Sequence, residues 1–254
     1  MTGSCESSVV TSEDIEAIER ATLAAVTPEA LEEIAGWLLP FDSGTVGRAR
    51  SAVPLAHTTP DPPSLREIEA SYAARGLPAV FRIPSAAAFD AFRKALARGG
   101  YAPSKPTQVH TASTSVVQEV SRAAPADVAS QPDAGWVEVF LGEGFDPVDG
   151  ASRVRTLSRA VGTVFASVRL DGRTVAAGAA AFGHGWASVH GMRTAQACRG
   201  QGLAARVLAS LAAAALSRGY PRTFLQVEAH NPPAQSLYRR AGFEPAWTYT
   251  YWRQ

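Results

Sequence analysis

Two neighbouring stretches, Trp186-Ala187-Ser188-Val189-His190-Gly191-Met192-Arg193-Thr194 and Arg199-Gly200-Gln201-Gly202-Leu203-Ala204, decide how this chain folds. The first is an apolar run that reads as a buried strand. The second is a glycine turn that runs straight into a helix, whose Leu203, Val207, Leu208, Leu211, Ala215 and Leu216 form one stripe at helical spacing. A strand over Thr223 to Glu228 and a short helix opened by Asn231 and Pro232 follow. Strand, glycine loop, helix, strand and helix make a βαβα unit, and its parallel strands require those crossovers.

The loop carries the chemistry. Glycines ahead of a helix let the backbone approach a ligand and aim several N–H groups at one point. The helix N-terminus adds partial positive charge, which suits a phosphate or pyrophosphate. Arg199 adds a full charge at the rim. There is no Lys-Ser/Thr ending, so no magnesium ligand is implied, and the spacing is not that of a dinucleotide fingerprint. Taken alone, the loop also fits an ordinary glycine turn.

The residues downstream narrow this. Leu225, Val227, Asn231, Ala234, Leu237, Tyr238, Gly242 and Phe243 match L-x-V-x-x-x-N-x-x-A-x-x-L-Y-x-x-x-G-F. Arg199, Gly202 and Ala204 match R/Q-x-x-G-x-G/A. In that order the two motifs resemble the GNAT N-acetyltransferase superfamily, over about residues 116 to 254. The resemblance implies an α/β fold with a mixed sheet and an acetyl-CoA donor. Residues 199 to 204 would hold the pyrophosphate, and the backbone of Met192, Arg193 and Thr194 would bond the pantetheine arm and polarise the acetyl carbonyl. Asn231 would reach the pantetheine, and Tyr238 would protonate the departing thiolate. The implied activity is acetyl transfer to a primary amine by direct attack, with no metal required. A small-molecule amine is the expected acceptor; a protein lysine, or a CoA-binding sensor without turnover, are the alternatives.

Each residue also has a plainer use. Asn231 before Pro232 is a good helix N-cap. Tyr238 lies on a helical stripe with Ala234, Leu237 and Ala241 and can serve as core. The base that takes the amine proton stays open between two candidates. Strand alternation places Ser188, His190, Met192 and Thr194 on one face, with His190 the titratable member. Glu228, on the neighbouring strand, is the second.

The whole chain has 254 residues, 46% hydrophobic and 19% charged, with net charge +1. Such a balance gives no global pull towards nucleic acid or anionic membrane. Cys5 and Cys198 form no disulfide framework. Neither a signal peptide nor a membrane span is expected, which points to a cytoplasmic monomer or homodimer.

The preceding residues suggest a helix from a capping box at Thr11 to Asp14, and a second helical start at Thr27-Pro28. Strand Trp37 to Phe41 and a return strand around Arg48 to Arg50 follow. A proline-rich loop spans His57 to Pro63. Helix 64 to 75, strand 79 to 83, helix 85 to 97 and strand 107 to 113 complete this part. A shift of 143 places Arg75-Gly76-Leu77-Pro78 on Arg218-Gly219-Tyr220-Pro221. The expected organisation is therefore tandem: a degenerate copy over residues 1 to 114 that lacks the glycine loop and the tyrosine, and a catalytic unit over 115 to 254. Val116 to Val120 is expected as the latter's first strand. Helices near 136 to 141 and 152 to 161 should border the acceptor, making Glu138, Glu143 and Asp146 candidates for amine recognition. A hairpin turning at Asp171-Gly172 precedes the strand at Trp186.

Overall fold

The computed structural model describes residues 10–58, 60 and 64–254. Helix α1 (Ser12–Ala25) is opened by the expected capping box: Thr11 Oγ1 accepts from Asp14 N–H, and Asp14 accepts from Thr11 N–H. Strands β1 (Ala30–Ile34), β2 (Trp37–Phe41) and β3 (Val53–Pro54) form a small antiparallel sheet. Helix α2 (Ser64–Ala73), strand β4 (Phe81–Pro84), helix α3 (Asp90–Arg98) and strand β5 (Ala102–Ser113) follow. Next come α4 (Thr114–Gln118), β6 (Asp127–Ala129), α5 (Ala134–Leu141) and α6 (Pro147–Ser158). Strands β7 (Val164–Leu170), β8 (Arg173–Gly183) and β9 (Trp186–Thr194) form a meander. The chain ends with α7 (Leu203–Leu216), β10 (Arg222–Glu228), α8 (Pro232–Arg240) and β11 (Glu244–Arg253).

Eight strands make one mixed sheet in the order β4-β11-β5-β10-β9-β8-β7-β6. Strand β5 inserts between β10 and β11, antiparallel to both, while β4 lies outside β11. Exchanging β4 with β10 and β5 with β11 maps the first four strands onto their own reverse order. The boundary expected at residue 114 thus falls at the end of a strand in a continuous sheet.

Helix α7 packs on one face of the sheet, its Leu203, Val207, Leu208 and Leu211 against Val164, Ala176, Val189 and Leu225. The other face is covered by α1, through Ile18 and Ala21 against Trp186, Phe224 and Tyr249, and by α5, through Trp136 and Phe140 against Phe165 and Ala177. A buried ion pair fastens α1 to the sheet edge: Arg82 Nη2 lies 2.8 Å from Glu19 Oε2, with both side chains out of solvent. Pairing offsets a desolvation cost that would otherwise be several kcal/mol per ion.

Four expectations need correction. Thr27-Pro28 starts no helix; the chain enters β1, and Ala35 (φ 47°) and Gly36 (φ 76°) turn it back into β2. Positive φ at both turn positions is what a tight hairpin requires. Gly47 to Arg50 is a single 3₁₀ turn, and the return strand is Val53–Pro54, paired with β2 at Trp37 and Leu38. Residues 116 to 120 are not a strand: α4 covers Thr114–Gln118 and buries Val117 against α7. In so short a valine-rich run, a period of two cannot be told from 3.6. The helix expected from residue 85 starts as a 3₁₀ turn at Ala87–Phe89 and becomes α-helical only at Asp90. Residues 1–9, including Cys5, and most of the Thr59 to Pro63 loop lie outside the described residues.

Candidate active site

Strands β9 and β10 run parallel but pair only from Ala187/Thr223 to Val189/Leu225. Both continue past that point, β9 bonded to β8 as far as Thr194 and β10 bonded to β5 as far as Glu228. Their facing edges have no ladder between them, so a wedge opens at residue 190. At its apex the β8–β9 register slips, with Ala179 opposite His190 and Ala177 opposite Arg193. Gly191 accommodates the slip at φ 62°. A methyl there would sit 2.9 Å from Leu157 Cδ1 and 3.0 Å from Phe140 Cζ, so these side chains would have to shift, and the positive φ itself favours glycine.

This bulge overturns the expected alternation. His190 faces α1, with its ring against Phe224, whereas Met192 lies on the α7 side beside Val207 and Leu211. Arg193 points back to the α1 and α5 face. There it stacks on Phe140 and Phe145, donates to Phe140 O at 3.2 Å, and reaches Asp149 Oδ2 at 3.3 Å. The unpaired edge at Met192, Arg193 and Thr194 nevertheless remains one wall of the wedge.

The mouth of the wedge is the glycine loop. A 3₁₀ turn at Gln196–Cys198 leads through Arg199, Gly200 (φ 79°) and Gln201 to Gly202 (φ 75°), the N-cap of α7. No side chain caps this helix, and nothing lies within 4 Å of where a Cβ would stand at Gly200 or Gly202. Uncapped N–H groups at the tip of a 14-residue helix, with open space before them, suit a phosphate oxygen. Arg199 and Gln201 are exposed at the rim, Ala204 is half-buried, and Leu203 anchors the first turn in the core.

On the opposite wall, Asn231 Oδ1 accepts from Ala234 N–H at 3.3 Å, the cap expected before Pro232. Tyr238, on α8, is buried edge-on against Phe243 in the cluster that holds Val189 and Leu225, the pair at which the strands part. Burial pushes its phenol up to about 12, so it stays protonated throughout the neutral range.

The two candidate bases stand apart. His190 is buried, and Arg48 Nη1 lies 3.0 Å from its Nδ1. An arginine can only donate, so Nδ1 accepts and Nε2 carries the ring proton. Burial, followed by the Arg48 charge, holds the imidazole well below its ordinary value. Glu228 is exposed and lines a cavity of about 170 Å³ between β10, β11, β5, α6 and the 3₁₀ turn at Gly47. Arg48, Lys105, Asp149, Arg153 and Arg253 line it too.

Sequence reasoning missed this cavity, because its walls come from segments far apart in the chain. Its lining carboxylates are Glu228 and Asp149, and Asp146 is not among the lining residues. Burial works to raise the Asp149 carboxyl, but Arg153, Thr45 and Arg193 outweigh it and hold the group below the usual range. Asp146 instead caps α6, and Glu138 and Glu143 are exposed outside the cavity. Lys105 sits at φ 49° where β5 bulges against β11, a local distortion that no sequence motif marks.

Among the described residues, no helix is long and apolar enough to cross a membrane, and no group of three or more His, Cys, Asp or Glu is placed to hold a metal.

Known proteins resemble this chain over nearly its whole length. An uncharacterized N-acetyltransferase of Bacillus subtilis (strain 168), YobR, is 28% identical over 239 residues, covering 92% of this chain and 96% of the relative. A GCN5-related N-acetyltransferase from Kribbella flavida superposes with a TM-score of 0.70 at 18% identity, covering 94% of this chain and 95% of that one. A tandem GNAT protein from the clavulanic acid biosynthesis pathway gives 0.58 at 17% identity, covering 95% and 87%. The fold and these relatives define the class, an enzyme of the GNAT N-acetyltransferase superfamily. The protein-family model described as "Probable histone acetyltransferase Rv0428c C-terminal" matches residues 11–252, and the chain belongs to that family.

Proposed function

We propose that the protein transfers the acetyl group of acetyl-CoA to the amine of a small molecule by direct attack. The observation that carries this reading is the wedge between β9 and β10, with the uncapped tip of α7 at its mouth and Gly191 at its apex. The donor supplies a thioester carbonyl as electrophile. Backbone N–H groups at Gly200 to Ala204 would hold its diphosphate. The free edge of β9 would receive the charge that develops on the carbonyl oxygen, where preorganised N–H donors commonly contribute about 2.7–4 kcal/mol. As the amine nitrogen bonds to the acetyl carbon and the carbon–sulfur bond breaks, Tyr238 would donate its phenolic proton to the sulfur. The amine proton goes to Glu228, directly or through water. His190, deprived of basicity by burial and by Arg48, holds Arg48 in place instead.

The first part of the chain, in this reading, is a degenerate copy of the catalytic unit. The reversible strand order supports it, as does the run of helix, strand, helix and strand in both halves. Its role is to cover the sheet and to supply Arg48 and Lys105 to the acceptor wall. A thiol-release screen with acetyl-CoA across amino acids, amino sugars, polyamines and lysine peptides tests the function. Release with a small amine supports it; turnover confined to protein lysines sinks the small-molecule assignment.

A further inference from the structure

The cavity beside Arg48 holds more positive charge than the protein neutralises. Among the described residues, Arg48 has no carboxylate within ion-pair range, and its side-chain hydrogen bond goes to His190. Glu19, which feels the Arg48 charge, is committed to Arg82 at 2.8 Å. Lys105 and Arg253 line the same cavity and likewise have no ion pair among the described residues. Arg153 does, through Asp149 at 2.6 Å. Glu228 is the one lining carboxylate without an ion pair among those residues. Three uncompensated cations thus face one uncompensated anion.

Size narrows the occupant further. About 170 Å³ is below the roughly 300–1,000 Å³ typical of drug-sized ligands. A basic peptide would meet like charge, which costs several kcal/mol at close range. A small molecule with an anionic end and an amine end would complement both sets of groups. Only one arm of the Arg48 fork is engaged by His190, leaving donors for a carboxylate, the geometry guanidinium groups bind well. His190 then acts as a positioning residue for that fork.

Resting on the acetyl-transfer reading above, we infer that this cavity is the acceptor site and takes a small amino carboxylate. Its carboxylate is anchored by Arg48 within the positive field of Lys105 and Arg253, and its amine is directed to Glu228.

The test begins with calorimetric titration of acetyl-CoA, which addresses donor binding alone. Protein saturated with CoA is then titrated with free amino acids and with the matching carboxamides, and both sets are assayed for acetyl transfer. The expected result is tighter binding and higher kcat/KM for the carboxylates by about 10- to 100-fold, the usual worth of a hydrogen bond to a charged group. Arg48→Gln should collapse that ratio towards one, and Arg48→Lys should restore part of it. Lys105→Gln, a change on an exposed side chain, should lower the ratio less and guards against misfolding of the Arg48 variants. Equal preference for amides, better turnover of basic peptides, or a ratio unmoved by Arg48→Gln would each overturn the inference. So would normal acetyl-CoA binding with no amino carboxylate bound or acetylated, an outcome that leaves the donor site standing.

Discussion

Arg48 Nη1 lies 3.0 Å from His190 Nδ1, a contact between a 3₁₀ turn near the start of the chain and the apex of the wedge. It fixes the imidazole in one tautomer and ties the 3₁₀ turn to strand β9. It also makes His190 a poor base, since protonating Nδ1 would break the bond and bring two cations together in a buried site.

The first prediction follows from that contact. His190, His57 and His110 are all held below the ordinary imidazole value, His57 at about 4, with burial the leading cause in each. Their folded forms bind protons less readily than the unfolded chain. Their contribution to stability is therefore complete above about pH 6.5 and is lost as pH falls from there towards the folded values, by up to about 1.4 kcal/mol per pH unit for each. Long-range nitrogen NMR should find His190 as the Nε2–H tautomer, unchanged from pH 8 to 5.5. A midpoint near 6.5 would contradict the Arg48 contact.

Gly191→Ala should be costly. The new methyl meets Leu157 and Phe140 at about 3 Å while the backbone is held at positive φ. Gly36→Ala, also at positive φ but with open space around it, isolates the backbone cost of about 1–2 kcal/mol. Urea unfolding should show Gly191→Ala losing about 1–3 kcal/mol more than Gly36→Ala. Equal losses would mean that the apex is looser than it looks.

Tyr238→Phe should lower kcat by about 10²-fold or more while leaving acetyl-CoA affinity nearly unchanged, because the ring still fills its place against Phe243. Stopped-flow turnover and calorimetry separate the two effects. Identical turnover for both proteins from pH 6 to 9 would remove the phenol from the reaction.

Gly202→Asp places a side chain and a negative charge at the tip of α7, at a φ of 75°. Affinity for CoA should fall more than about tenfold through strain and charge repulsion together. Normal binding by calorimetry would move the diphosphate away from this turn.

Much of the chain after residue 114 was legible in the residues themselves. The turn at Gly200 to Gly202, the Asn231 cap with Pro232 behind it and the hairpin at Asp171-Gly172 rest on signals within four residues, where backbone preference and capping act. Errors gathered where two local preferences compete. Thr27-Pro28 has the look of a helix start, yet the hairpin turn at Ala35-Gly36 takes the chain into a strand. Val116 and Val117 favour a strand by composition, yet the segment is helical and buries Val117 against α7.

By itself, the sequence determined the local devices and the order of elements, because caps, turns and periodic stripes draw on neighbours along the chain. Only the tertiary structure decided that β5 lies between β10 and β11, that β9 and β10 part at Val189 and Leu225, and that Arg48 meets His190. Those features depend on strand pairing and burial between residues as much as 151 positions apart, as Ala102 and Arg253 are. Their free energy exists only once the sheet has closed around them.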